Sequence, residues 1–153
     1  MREVKTLWNP DSRARLSARI DRLTPETPAL WGRMNAPEMV AHVMRGMRMG
    51  LGELQTRERK TFLRFWPFKH VFVYYLSFPK GRAKAPREMV TVGAPPPEWN
   101  AAIAELRESL DRFATRELKS QWPVHPVFGP LSGHAWGALG WRHLDHHLRQ
   151  FGV

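Results

Sequence analysis

Cysteine is absent from this 153-residue chain. That excludes a disulfide framework, a thiolate metal site and a cysteine nucleophile, and it agrees with a cytoplasmic protein, the expected localisation. Long apolar runs are also missing. No stretch approaches the ~20 residues that a membrane-spanning helix needs. Met1-Arg2-Glu3-Val4-Lys5 leads into no apolar segment of the signal-peptide kind. Internal repeats and low-complexity tracts are lacking too, which argues against a solenoid or a disordered linker. Acidic residues are scarce beside basic ones, 14 against 24, so the formal net charge is +10.

What is there suits a folded protein. Hydrophobic residues make up 42% of the chain, enough for one globular domain over residues 1–153. Basic side chains recur at Arg57, Arg59, Lys60, Arg64, Lys69, Lys80, Arg82, Lys84 and Arg87. Such a surface attracts nucleic acid, acidic partners or anionic small molecules. No nucleic-acid motif accompanies it, so nucleic acid is not the expected partner and a solvated face is the plainer reading.

Proline and glycine divide the chain into helical candidates. Leu16, Ile20 and Leu23 repeat at helical spacing over Asp11–Leu23, with Asp11 or Ser12 as N-cap. Asn35, Pro37 and Glu38 form a helix start for Ala36–Leu51, on which Met39, Val43 and Met47 make one stripe. Gly46 and Gly50 share that side, where another backbone could approach. Phe62–Phe78 is ambiguous between strand and helix. Pro67 argues against one unbroken helix, and a short helix after it is the preferred reading. Pro79–Pro97 reads as a long irregular connection. Trp99, Ile103, Leu106, Leu110 and Phe113 predict a helix over Glu98–Leu118, and after a loop at Gln121–Leu131, Ser132 caps a last helix running to about Phe151.

Histidine carries the chemistry. Of seven copies, His143, His146 and His147 fall within five residues. On a helix, His143 and His147 are neighbours one turn apart, on the face of Trp136, Gly140, Leu144, Leu148 and Phe151. Arg142, Asp145 and Arg149 take the opposite face. Two imidazoles facing a core cannot cheaply carry charge, and as neutral rings they are good ligands for a divalent metal. His42, at the edge of the Met39–Val43–Met47 stripe, is the best third ligand. Three neutral histidines leave an ion its full charge and at least one open position. The plainer alternative is a set of ordinary hydrogen-bonded core histidines. His146, about 60° from His143 on the wheel, suits the rim of such a site, as do Gln150 and Glu38. His125 and His70 read as surface or packing residues, and His134 lies too early in its helix to reach.

Several blocks resemble a known family. They are Leu23-Thr24-Pro25-Glu26-Thr27-Pro28 with Trp31-Gly32-Arg33-Met34 and Pro37-Glu38-Met39-Val40-Ala41-His42, then Phe78-Pro79-Lys80-Gly81. The last runs from His125-Pro126-Val127-Phe128-Gly129-Pro130-Leu131-Ser132 through Trp136-Gly137 to His143-Leu144-Asp145-His146-His147-Leu148-Arg149-Gln150-Phe151-Gly152. Together they resemble the DinB-like superfamily of four-helix-bundle metalloproteins, which includes YfiT-like proteins, and within it a subfamily of unknown function. The resemblance covers the chain from about Leu23 onward and is weakest over Phe62–Phe78. It implies an all-α four-helix bundle with long connecting loops, holding zinc or nickel on His42, His143 and His147.

The resemblance further implies a small-molecule substrate and, as one reaction, transfer of a low-molecular-weight thiol. A metal-stabilised thiolate needs no strong base, and the basic loop Lys80–Arg87 could hold the cosubstrate's anionic groups. The other readings are a metal-dependent hydrolase, for which Glu38, Glu53 or His146 would be the base, and a non-catalytic metal-stabilised binding or stress-response domain. A homodimer is compatible with such a bundle, and no residue specifies it.

Overall fold

The computed structural model describes residues 4–80, 85, 87–93, 95 and 97–153. The chain is mostly helical. Five helices appear among the described residues: α1 (Pro10–Ile20), α2 (Ala36–Leu51), α3 (Phe68–Tyr74), α4 (Trp99–Thr115) and α5 (Gly133–Gln150). Single 3-10 turns lie at Phe62–Arg64 and Arg87–Met89, the second within the connection expected to be irregular. A two-residue antiparallel pair, β1 (Val124–His125) and β2 (Gly129–Pro130), folds the loop before α5.

Local chemistry sets most of the boundaries. Asn35 and Glu38 form the expected capping box at the start of α2, each side chain meeting the other's backbone N–H at 2.9 Å. The Ser132 hydroxyl accepts from the Ala135 N–H at the start of α5. Helix α1 departs from expectation. Its cap is Asn9, two residues before Asp11, because the Asn9 amide oxygen accepts from the Ser12 N–H. It also ends at Ile20, although the apolar spacing continues to Leu23; Leu23 is buried from outside the helix. Helix α4 stops at Thr115, three residues short of Leu118, which is exposed. A helix does follow Pro67, as preferred over a strand, and it buries only Val73.

Helix α2 packs against α4 and α5, while α1 packs against the same two. Met39, Val40, Val43 and Met47 of α2 meet Leu106, Leu110 and Phe113 of α4 and Leu144 and Leu148 of α5 in one buried cluster. Burying side chains of this size contributes ~1.5–3 kcal/mol each. The N-terminal segment crosses α5 closely. The Trp8 indole N–H donates to the Gly133 carbonyl at 3.0 Å, and a Cβ at Gly137 would fall 2.3 Å from that indole nitrogen. Arg19 of α1 pairs with Asp145 at 2.6 Å and donates to the carbonyl of Val153, anchoring the polar face of α5. With that face fixed outward, His143 and His147 turn toward α2.

Candidate metal centre

Three imidazoles meet where α2 faces α5. The Nε2 atoms of His42 and His143 are 3.0 Å apart, and those of His143 and His147 are 3.2 Å apart. One ligand atom from each ring lies within 4.8 Å of the others, so the group could hold a metal ion. Tetrahedral ligands at ~2.0–2.1 Å from a zinc-sized ion sit ~3.3 Å apart, close to both of these separations.

The outer two rings are oriented by their other nitrogens. His42 Nδ1 is 2.8 Å from the Met89 carbonyl oxygen, which can only accept, so Nδ1 carries the proton and Nε2 a lone pair. His147 Nδ1 lies 2.7 Å from Gln150 Oε1. The Gln150 amide nitrogen donates to the Trp31 carbonyl at 2.8 Å, which fixes the amide so that its oxygen faces the histidine. His147 therefore also presents a bare Nε2. Such partners on the far nitrogen are what metal-ligating histidines use.

Burial keeps these rings neutral. His147 is pushed down to about 3, chiefly by desolvation and then by the His42 ring, with the Gln150 hydrogen bond working the other way. His143 falls well below 6.5 through burial and the neighbouring imidazoles. His42 is lowered by burial, partly offset by the Met89 hydrogen bond, with Arg45 adding to the lowering. Near neutral pH, none of the three rings is an imidazolium that must first lose its charge, and His143 has only to carry its one proton on Nδ1 for its Nε2 to join the other two.

The triad opens on a cavity of about 710 Å³, within the range of small-molecule sites. Its wall is largely apolar and runs from Phe62, Leu63 and Phe72 to Phe113 and Trp136. Among the described residues, no Asp, Glu or Lys lines it, while Arg33 and Arg59 do. Trp31 also lines it, and its indole N–H is buried without a partner.

The other expected residues fall as follows. His146 lines the cavity at the rim, its ring 5.1 Å from that of His147, and burial then Arg149 lower its pKa. Gln150 touches His147 directly. Glu38 does neither. Its carboxylate caps α2 and accepts from the Gly93 N–H at 2.7 Å, and it is not part of the cavity wall. Glu53 pairs with Arg112 on the surface. His125 packs at a tilt between Phe128 and Trp136, its Nδ1 accepts from the Val127 and Phe128 N–H groups, and it also forms part of the cavity wall. His70 is exposed, and His134 stays outside the site beside Tyr74. Of the basic loop, Lys80 sits over the Trp31 ring at 4.5 Å and Arg87 is exposed. Gly81 to Lys84 and Pro86 lie outside the described residues.

Two contributors escape a reading of side-chain patterns. Met89 acts through its backbone carbonyl, which any residue would offer, so no sequence signal marks it. Gly46 admits a side chain, whereas the sequence suggested a backbone. A Cβ there would stand 3.2 Å from His143 Nδ1 and 3.3 Å from the Met89 methyl.

Residues 11–152 match the profile of one protein family, described as "Protein of unknown function (DUF1569)". No curated protein and no solved structure shows a significant match to the chain.

Proposed function

Because the chain belongs to the DUF1569 family, which carries no assigned activity, we propose a function from the site itself: a divalent-metal protein of the DinB-like, YfiT-like four-helix-bundle type. His42, His143 and His147 are its ligands, and zinc or nickel is its ion. The bundle reading is supported by a closed set of contacts, in which α1 and α2 each pack against both α4 and α5, with α3 lying outside against α5.

The observation that carries the metal is the convergence of three Nε2 atoms after the Nδ1 protons of His42 and His147 are committed elsewhere. A single proton on His143 Nε2 can serve only one of the two lone pairs facing it, whereas a cation serves all three. When bound, the ion would supply Lewis acidity, enough to stabilise the thiolate of a small external thiol.

The cavity favours thiol transfer as the reaction. Its described wall has no carboxylate or lysine to act as a strong base, and this reaction needs none. Arg33 and Arg59 are placed to meet a carboxylate on the cosubstrate, and the Trp31 indole N–H is a spare donor. The apolar remainder suits an uncharged electrophile. A hydrolase is the second reading, favoured by one feature: His146 is a neutral imidazole on the cavity wall beside His147, a base within reach of the triad.

Elemental analysis of the purified protein beside a His143→Ala variant tests the metal. About one equivalent is expected in the parent and nearly none in the variant; a metal-free parent that takes up no zinc or nickel sinks the proposal. Conjugation of glutathione or a bacillithiol-type thiol to a chloroaromatic acceptor tests the reaction. Turnover that needs both metal and thiol supports transfer, and metal-dependent ester or amide cleavage without thiol selects the hydrolase.

A further inference from the structure

The metal-facing cavity takes Phe62, Leu63 and Phe72 of the aromatic-rich stretch from Phe62 to Leu76, but it does not account for the rest. Trp66 is 82% exposed, Phe65 68%, Tyr75 65% and Phe62 61%, and Phe68, Val71 and Leu76 are exposed as well. Isolated apolar side chains on a surface are ordinary, but so many in one short segment mark an interaction surface. They hold together locally. The Phe62 and Phe68 rings meet at 5.3 Å, the 3-10 turn packs on α3, and α3 packs on α5 through buried Val73.

The charged border of this patch is mainly basic, with Glu88 the acid that faces Arg57 and Arg59. Arg57, Arg59, Lys60, Arg64 and Lys69 flank it, and the sole acid among residues 57–76, Glu58, is paired with Arg64 at 2.7 Å. Arg57, Arg59 and Lys60 are exposed. Tryptophan, tyrosine and phenylalanine beside lysine and arginine is the composition of surfaces that sit at the headgroup level of an anionic bilayer. A second copy of the chain would bring like-charged borders together. A nucleic-acid strand could stack on the rings but would gain nothing from Val71 and Leu76, which have no π-face.

We propose that Phe62–Leu76 docks the protein on an anionic lipid surface, with Phe65, Trp66 and Tyr75 entering the interface and Arg57 and Lys60 meeting lipid phosphates. The attachment is peripheral, since no described helix is long and apolar enough to cross a membrane. Phe62 belongs both to the patch and to the wall of the metal-facing cavity, so docking holds that cavity beside the lipid.

Vesicle flotation tests this independently of the metal. The parent protein should float with phosphatidylcholine vesicles containing about a third phosphatidylserine, at ~0.15 M salt, and not with phosphatidylcholine alone. A Phe65→Ser, Trp66→Ser double variant and an Arg57→Glu, Lys60→Glu double variant should each lose about tenfold in partitioning. Their circular dichroism and thermal midpoints should be unchanged, because these side chains are exposed. Failure of the parent to float overturns the proposal, as does undiminished flotation of the aromatic variant. It is also overturned if an oligothymidine strand abolishes vesicle binding at equimolar amounts, or if the patch instead supports a dimer that the aromatic double variant dissociates.

Discussion

Gln150 links two parts of the molecule through one amide. It accepts from His147 Nδ1 and donates to the Trp31 carbonyl. Replacing it with alanine frees His147 to rotate and to change tautomer, so Gln150→Ala should weaken zinc binding ~10–100-fold in a competition titration while leaving about one site per chain. His125 offers a test of burial at a ring that is not one of the proposed ligands, although it shares their cavity and bears on His143. Burial pushes it down to about 3, whereas in the unfolded chain it titrates near 6.5. The unfolded state therefore binds the extra proton between those values. The stability due to its neutral burial is complete above pH ~6.5 and is lost as pH falls toward 3, by up to ~1.4 kcal/mol per pH unit. His125→Asn keeps an acceptor for the Val127 and Phe128 N–H groups. Urea melts from pH 7.5 to 4.5 should show it less stable at neutral pH, by ~1–2 kcal/mol for lost ring packing, yet with a shallower acid slope. An unchanged slope would contradict the burial argument.

At the level of the helix, α2 carries two opposed demands. Its capping box begins it where the sequence says, and Asn35→Ala should cost ~1 kcal/mol by chemical denaturation. Its Gly46 weakens the helix by ~1 kcal/mol relative to alanine, but a Cβ there would crowd the His143 ring. Gly46→Ala should accordingly weaken metal binding several-fold while shifting the metal-free melting midpoint little or upward. A variant with parental metal affinity would show that the ring yields without cost. Much of α2, α4 and α5 was legible because caps and 3.6-residue spacing are local properties. The Leu23 and Leu118 ends were not, because side-chain periodicity does not distinguish a residue on the helix from one placed nearby by the chain beyond it.

For the molecule as a whole, the histidine cluster joins α2 to α5 across the core, so an ion bound there would stabilise the folded state by mass action. Zinc at 100 times its dissociation constant would add ~2.7 kcal/mol. For a chain of this size that corresponds to a rise in melting midpoint of very roughly 5–10 °C, read by scanning calorimetry with and without a chelator. Equal midpoints in both conditions would count against a metal in this position. The same experiment on His42→Ala should show no chelator effect, because α2 would then contribute no ligand.

The sequence by itself determined which residues have the chemistry: no thiol, a histidine pair one helical turn apart, a third histidine on a second amphipathic helix, and helix starts written in asparagine, proline and serine. These follow from covalent chemistry and from the period of the helix, both readable along one dimension. Only the tertiary structure decided that the three Nε2 atoms face one another, that Met89 and Gln150 hold the Nδ1 protons, and that Glu38 is spent on a cap. Those facts depend on distances between segments up to about a hundred residues apart. Such distances are set by how side-chain volumes fill the core between helices, which is a property of the packed whole and of no single stretch of chain.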